Sequence, residues 1–187
     1  MCSGWCWVPE VPAPPGTPAP PAPAGTLITV APAAGPIGHL LRTAIDAEQV
    51  GATRLHLPAD QLDLDVAVSA LREQTTLIVT CDAHVAGLDV IGTDFADVDL
   101  EQTTDLPALV AEVARVVAMH PAGVSICGAG PAALPVLLAT LAAGGHVRVA
   151  AAVKDHAALV ARASGLARIA GRAPLDSAAA RRLLGTP

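Results

Sequence analysis

The stretch Gly144–Val149, GlyGlyHisValArgVal, carries a cation inside a predicted strand. Val147 and Val149 alternate with His146 and Arg148, which is the period of a β-strand, and the two glycines end the preceding helix. An arginine on the inner face of an apolar strand is costly unless it has an anionic partner. Periodicity leaves two interpretations open: an edge strand with Arg148 in water, or an inner strand on which Arg148 meets an anion.

A second group of side chains could ligate a metal ion. These residues fall at or near the predicted carboxyl ends of strands: His56, Cys81, Asp82, His84 and Cys127. Cys81 and His84 have a Cys-x2-His spacing, and zinc accepts sulfur and nitrogen ligands. The alternative is that both cysteines are small buried apolar residues and that His84 lies in a loop.

The composition limits the classes of partner. The chain has 187 residues, which is room for one domain with a substantial core, and its net charge is −6 with no basic block. The charge argues against a nucleic acid or an anionic membrane surface as partner. No apolar run reaches the length of a membrane span, and no secretory signal is recognisable, so we expect a cytoplasmic protein.

The first 25 residues differ from the rest of the chain. Eight prolines lie between Pro9 and Pro23, interleaved with Ala, Gly and Thr. Such a segment makes neither a ladder nor a helix, so it is predicted to be extended or disordered. We therefore expect a Pro/Ala-rich tail over residues 1–25 and a single domain over residues 26–187.

Strand and helix patterns alternate along that domain. Strands are predicted at 27–32, 53–58, 75–81, 96–101, 123–128 and 144–149, and the irregular stretch 82–95 could hold another at 88–91. Helices are predicted at 36–50, from Asp60 or Asp63 to about residue 73, and at 105–120, 131–143, 155–170 and 176–184. GlyAlaGly at 128–130 stands where a phosphate loop would, but without a further glycine it favours a tight turn.

The alternation predicts parallel strands joined by right-handed crossovers. Five or six such units occupy about 160 residues, whereas a full eight-unit barrel takes about 250. The pattern therefore predicts either an abbreviated TIM-type βα barrel or an open doubly wound sheet. Both architectures place functional groups at the carboxyl ends of the strands.

Several segments resemble the β-keto acid cleavage enzymes, the family of the 3-keto-5-aminohexanoate cleavage enzyme. They are ValSerIleCysGlyAlaGlyProAlaAlaLeuPro (124–135), AlaGlyGlyHisValArgVal (143–149), AlaLeuValAlaArgAla (158–163) and ArgArgLeuLeuGly (181–185). LeuIleThrValAlaPro (27–32) resembles the opening strand of the family, and ThrArgLeuHisLeuPro (53–58) stands where the family has a His-x-His strand. The resemblance is weak between these regions, where middle strands are shortened or missing, and we favour the abbreviated barrel.

The resemblance implies a TIM barrel with a divalent metal, usually zinc. In the family, two histidines of the second strand and a glutamate after the Gly-Gly-His-Val-Arg-Val strand hold the metal. An acetyl group from acetyl-CoA is joined to an anionic β-keto acid, which is then cleaved by a retro-Claisen route. The metal serves as the Lewis acid that polarises the keto group.

The residues that match the family's site are Arg148, which is the active-site arginine, and His56, which is the second metal histidine. Gly144, Gly145 and His146 also match, which implies a place in substrate binding. CysAspAlaHis (81–84) stands in place of the family's substrate loop, which makes Asp82 a further candidate and a hypothetical partner of Arg148.

Three other positions depart from the family. Arg54 stands in place of the first metal histidine and, as a permanent cation, cannot ligate a metal. The family's Gly-Leu-Glu-Asp-Asn reads AlaAlaAlaValLys at 150–154, so Ala152 replaces the glutamate ligand and Val153 the acidic residue beside it. The main hypothesis is a family member whose activity is weak or lost.

Two rival hypotheses remain. The first is a metal enzyme with a relocated His/Cys site built from the residues named above. The second is a non-catalytic scaffold or ligand-binding subunit, which we expect to be a homo-oligomer because missing barrel units leave strand edges to cover.

Overall fold

The computed structural model describes residues 25–83, 87–89, 95–100, 105–150 and 155–186, and within them six parallel strands form one sheet. The strands are β1 (Ile28–Ala31), β2 (Arg54–Leu57), β3 (Ile78–Cys81), β4 (Ala96–Leu100), β5 (Val124–Gly128) and β6 (His146–Ala150). The helices are α1 (Ile37–Gln49), α2 (Leu64–Gln74), α3 (Leu106–Met119), α4 (Ala133–Ala143), α5 (His156–Ile169) and α6 (Ser177–Leu184). The predicted tail lies outside the described residues, apart from Gly25, and the domain boundary stays a prediction.

The order of the strands distinguishes a barrel from a doubly wound sheet. The order is β3-β2-β1-β6-β5-β4, so β1 pairs with both β2 and β6. The first and last strands are therefore neighbours, as in a barrel, and in the described part of the chain the sheet is open between β3 and β4. This arrangement confirms the abbreviated barrel with six units. It also shows that the edge-strand interpretation of Arg148 is wrong, because β6 lies between β1 and β5.

The free edge of β3 is partly covered by residues 87–89. The N–H of Asp89 donates to the carbonyl of Val79 at 2.8 Å, and the N–H of Val79 donates to Asp89 Oδ2 at 2.9 Å. Arg72 and Arg181 contact the same carboxylate at 3.2 and 2.8 Å. Residues 90 and 91 of the short strand predicted at 88–91 lie outside the described residues.

Side-chain alternation gives the sheet one apolar face and one polar face. The outward side chains of the strands pack against the helices in two aliphatic clusters, and Val30, Leu55, Val79, Val147 and Ile126 are examples. The inward side chains are mostly polar: Thr29, Arg54, His56, Thr80, Asp97, Asp99, Ser125, Cys127, His146 and Arg148. The fold therefore directs the chemically active residues into the barrel interior.

The amino ends of the strands are closed by a third apolar cluster. Leu27, Ile78, Ala180 and Leu184 form it, with Phe95 packed against them. The cluster brings α6 under the barrel. The opposite end, where the strands terminate, is the end at which barrels of this kind place their sites.

Candidate functional site

A buried ion pair crosses the barrel interior from β2 to β4. Arg54, whose side chain is 0% exposed, donates from Nη1 and Nη2 to the two carboxylate oxygens of Asp97 at 2.9 and 2.6 Å. Its Nε donates to Thr80 Oγ1 at 2.9 Å. Burial alone would raise the pKa of Asp97, but the hydrogen bonds and charge of Arg54 outweigh it and hold that pKa below its usual value. The guanidinium is therefore fixed in place by three hydrogen bonds.

His56 lies beside this pair, and its neighbours set its tautomer. Its Nδ1 is 3.2 Å from Arg54 Nη2 and 3.1 Å from Thr80 Oγ1. Because a guanidinium can only donate, Nδ1 accepts and the ring proton is on Nε2, which is 3.7 Å from Asp82 Oδ2. Burial, together with the charge of Arg54, lowers the pKa of His56. The imidazole is therefore neutral at pH 7.

A second ion pair lies nearer to the carboxyl ends of the strands. Arg148 donates from Nη2 to Asp99 Oδ1; the side chain of Arg148 is 11% exposed and that of Asp99 is 71% exposed. The Nε of Arg148 is buried and has no hydrogen-bond partner among the described residues. The observed partner of Arg148 is thus Asp99. The hypothesis that Asp82 pairs with Arg148 is wrong, because no such contact is found among the described residues. Asp82 instead approaches His56.

The two cysteines in the described part of the chain lie on opposite faces of the sheet. Cys127 points inward near Arg148 and Asp99, and burial raises the pKa of its thiol. Cys81 points outward and packs against the core between sheet and helices. The structure therefore does not bring Cys81 together with His56, and His84 lies outside the described residues. No group of three His, Cys, Asp or Glu side chains within the described ranges is placed to hold a metal ion.

Gly144, Gly145 and His146 lie at the amino end of β6, away from this group. Gly144 ends α4 with a φ of 90°, and a Cβ on Gly145 would lie 2.9 Å from Thr140 Cγ2. His146 Nδ1 accepts a hydrogen bond from the Leu27 N–H at 3.0 Å, and burial, aided by the charge of Arg172, lowers its pKa to about 4. These contacts give the three residues structural roles, and their assignment to substrate binding stays a prediction.

Asp97 and Asp99, the two acidic residues on which the site depends, are not among the residues predicted from the sequence. They alternate in AlaAspValAspLeu (96–100), so both point to one face of β4. Two acids on one face of a strand, in a chain with two inward arginines, were the available signal. The GlyAlaGly segment forms a turn that leads through a short 3-10 helix (Gly130–Ala132) into α4.

Adjacent first and last strands, outer helices and a charged interior define a barrel-type α/β protein whose site lies toward the carboxyl ends of the strands. The chain belongs to the β-keto acid cleavage enzyme family, because the sequence model of that family matches residues 90–186, slightly more than half of the chain. The match runs from the segment before β4 to the end of α6. It confirms the resemblance noted in the sequence.

A solved structure supports the fold. The (S)-3-O-geranylgeranylglyceryl phosphate synthase of Thermoplasma acidophilum, in complex with its substrate sn-glycerol-1-phosphate, is similar with a TM-score of 0.52 at 12% identity. The similarity covers 78% of this chain and 94% of that chain. No curated protein sequence matches the chain. None of the helices in the described ranges has the length and apolarity needed to cross a membrane.

Proposed function

We propose that this chain binds a small carboxylate at Arg148 and has lost the metal-dependent cleavage reaction of its family. The Arg54–Asp97 pair is the observation that carries the proposal. Arg54 stands where the resemblance implies the first metal histidine, and its guanidinium is buried and fixed beside His56. A divalent cation at this position would lie close to a permanent positive charge in a medium of low dielectric, which is strongly unfavourable.

The tautomer of His56 argues in the same direction. A metal needs an imidazole lone pair, but the Nδ1 lone pair faces Arg54 and the Nε2 atom carries the proton. Ligation through Nε2 would require a proton on Nδ1, which lies 3.2 Å from the donor Nη2 of Arg54 and whose nearest acceptor, Thr80 Oγ1 at 3.1 Å, already accepts from Arg54 Nε. The residues present therefore do not fit the implied metal, and Ala152 offers no ligand in place of the glutamate.

The arginine of the second pair remains suited to an anionic ligand. Arg148 is held near the carboxyl end of β6. Its Nε–H donates to no acceptor among the described residues. Because Asp99 is largely in water, its carboxylate can give way to a ligand carboxylate at small cost. A guanidinium binds a carboxylate in two-point geometry, which suits the acid group of a β-keto acid. Without a Lewis acid to polarise the keto group, binding is expected without cleavage.

Metal analysis and carboxylate binding test the two parts of the proposal separately. We expect purified protein to contain less than a tenth of an equivalent of zinc and to show no acetyl-CoA-dependent cleavage of a β-keto acid. We expect acetoacetate to bind with a millimolar Kd that Arg148→Ala weakens at least tenfold, whereas Arg115→Ala, in an exposed pair on α3, leaves it unchanged. Stoichiometric zinc with turnover would overturn the loss of activity, and equal effects of the two variants would overturn the carboxylate site.

A reverse substitution sharpens the metal test. Arg54→His together with Ala152→Glu restores the ligand types that the resemblance implies. We expect this variant to bind zinc more tightly than the natural chain by at least a hundredfold in a competition titration with a chelating dye. Replacing Arg54 would leave the Asp97 carboxylate without its partner. A third chain therefore adds Asp97→Asn to the variant. Equal zinc affinity of all three chains would show that Arg54 does not prevent metal binding.

A scaffold role is the second candidate, and the edge of β4 favours it. The side chain of Asp97 is only 21% exposed, but among the described strands β4 pairs only with β5, which leaves its other edge unpaired. Unpaired strand edges recruit further strands, so a second copy could cover this one. Light scattering after size-exclusion chromatography at micromolar concentration should then show a dimer or larger assembly. A monodisperse monomer would contradict this role.

A further inference from the structure

A cleft of about 440 Å³ lies between the sheet and its helices, and at the carboxyl end of β6 it is bordered by Arg148. Its walls are the outward side chains of β5 and β6 and the facing sides of α4 and α5. The lining is mostly aliphatic and includes Val147, Val149, Val136, Leu137 and Leu159. This volume lies in the range of small-molecule sites, which are typically apolar clefts with a few polar groups.

The charged groups of the cleft all have one sign. Arg162 of α5 and Arg148 line it, and none of the described lining residues is Asp or Glu. The side chain of Arg148 is engaged with Asp99 on the inner face of the sheet. Arg162 is exposed and forms no ion pair with another described residue. Its guanidinium is therefore the group available to an anion at this cleft.

We propose that this cleft binds an apolar-tailed anion, with the tail between α4 and α5 and the carboxylate or phosphate head group on Arg162. Aliphatic walls favour a chain of methylenes, because burial of apolar surface drives such binding. A described lining that carries arginines and no acidic side chain favours a negative head group. The tail would lie across the sheet from the Arg148–Asp99 ion pair, because alternation along β6 directs Val147 and Val149 to the helix side and the Arg148 guanidinium to the interior, although Arg148 also borders the cleft.

The proposal predicts how affinity depends on the tail. Across the straight-chain carboxylates from butyrate to octanoate, each added methylene should tighten the Kd about fourfold until the cleft is filled. Titrations monitored by backbone amide chemical shifts give the Kd and the location together. The amides of Val147, Val149 and Leu159 should shift. A Kd that is independent of chain length, or amide shifts confined to strands that do not line the cleft, such as β2 and β4, would overturn the proposal.

The role of Arg162 is tested with matched head groups and a matched arginine. Arg162→Gln should weaken hexanoate binding about three- to tenfold and leave the neutral hexan-1-ol within twofold. Arg168→Gln removes an exposed arginine of the same helix that does not line the cleft. This variant should change the affinity for neither ligand. Identical effects of the two variants on hexanoate would refute the role of Arg162. Comparing hexanoate with hexyl phosphate then identifies the preferred head group.

The last experiment blocks the cleft with a larger side chain. Ala133 lines the cleft at the start of α4 and is only partly buried, so Ala133→Phe should occupy the space with little effect on folding. We expect this variant to lose at least tenfold in affinity for both octanoate and octan-1-ol, while acetoacetate binding at Arg148 is retained. Undiminished octanoate binding by the folded variant would place the tail elsewhere and overturn the proposal.

Discussion

Arg54 and Asp97 are 43 residues apart in the sequence and join two strands that are not neighbours in the sheet. In the order β3-β2-β1-β6-β5-β4, three strands separate β2 from β4. Their side chains can meet at 2.6 Å only because the sheet curls around its interior. The pair therefore connects the two halves of the opened barrel near the side on which barrel units are missing.

Breaking this pair from the arginine side should be costly. Arg54→Met keeps the length of the side chain but leaves the Asp97 carboxylate without its two donors. We expect a loss of about 3 kcal/mol in the free energy of unfolding, measured by urea denaturation at pH 7. The double variant Arg54→Met with Asp97→Leu should recover most of the loss, since no buried charge remains.

The exposed pair of Glu112 and Arg115 on α3 provides the comparison. Arg115→Met removes an arginine of the same type from a pair in which both groups are accessible. Its effect should stay below about 0.5 kcal/mol. Equal effects at Arg54 and Arg115 would show that the interior pair is not desolvated as the structure has it.

The sequence predicted the strands and helices well but not these pairings. β4 was predicted at 96–101 and is found at Ala96–Leu100, because β-strand alternation is a local pattern. Arg54 was interpreted only as a residue that would repel a metal, and its partner went unnoticed. Ion pairs between residues 43 and 49 positions apart depend on the strand order and on the curl of the sheet. Neither the strand order nor the curl is encoded in any single segment. For the same reason, the alternation of strands and helices is equally compatible with the barrel and with the doubly wound sheet.

The pKa of His146 predicts a loss of stability in mild acid. Its folded pKa is about 4, below the ordinary histidine value of 6.5, because the ring is buried. Between these values the unfolded chain takes up a proton that the folded chain does not, so stability falls as the pH falls from about 6.5 to about 4. A lowering of this size corresponds to roughly 3 kcal/mol of stability. Asp97, with a lowered pKa, adds a further loss only at still lower pH.

The variant His146→Asn isolates this contribution. The Asn Oδ1 atom can accept the hydrogen bond from the Leu27 N–H in place of Nδ1, but the side chain does not titrate. Urea denaturation from pH 7.5 to pH 4 should therefore show a flatter stability profile for this variant. Parallel profiles for the variant and the natural chain would assign the acid sensitivity to other groups, such as His56 and His156, whose pKa values burial also lowers.

Asp99 should act as a competitor for Arg148. Because its carboxylate already accepts from Nη2, a ligand carboxylate must displace it. We expect Asp99→Asn to tighten the Kd for acetoacetate about three- to tenfold, and to change the free energy of unfolding by less than about 1 kcal/mol because Asp99 is mostly exposed. Isothermal titration and urea denaturation measure the two effects. Weaker binding by the variant would instead make Asp99 a residue that positions Arg148 for its ligand.

Gly128 and Gly165 differ in the space around them: a Cβ would clash with α4 at Gly128 and would be accommodated at Gly165. A Cβ on Gly128, at the end of β5, would lie 2.6 and 2.7 Å from Val136 Cγ2 and Cβ and 3.0 Å from the carbonyl oxygen of Ala132. Gly128→Ala should therefore destabilise the protein by about 1–3 kcal/mol, because the start of α4 would have to move away from the sheet. Gly165 lies within α5, and apart from its neighbours in the helix no atom of the described residues lies within 4 Å of the place a Cβ would take. Gly165→Ala should stabilise the protein by about 0.5–1 kcal/mol, because alanine restricts the unfolded chain and favours the helix. Thermal unfolding of both variants at pH 7 measures the contrast, and a neutral Gly128→Ala would mean that α4 does not pack against β5 as closely as the structure shows.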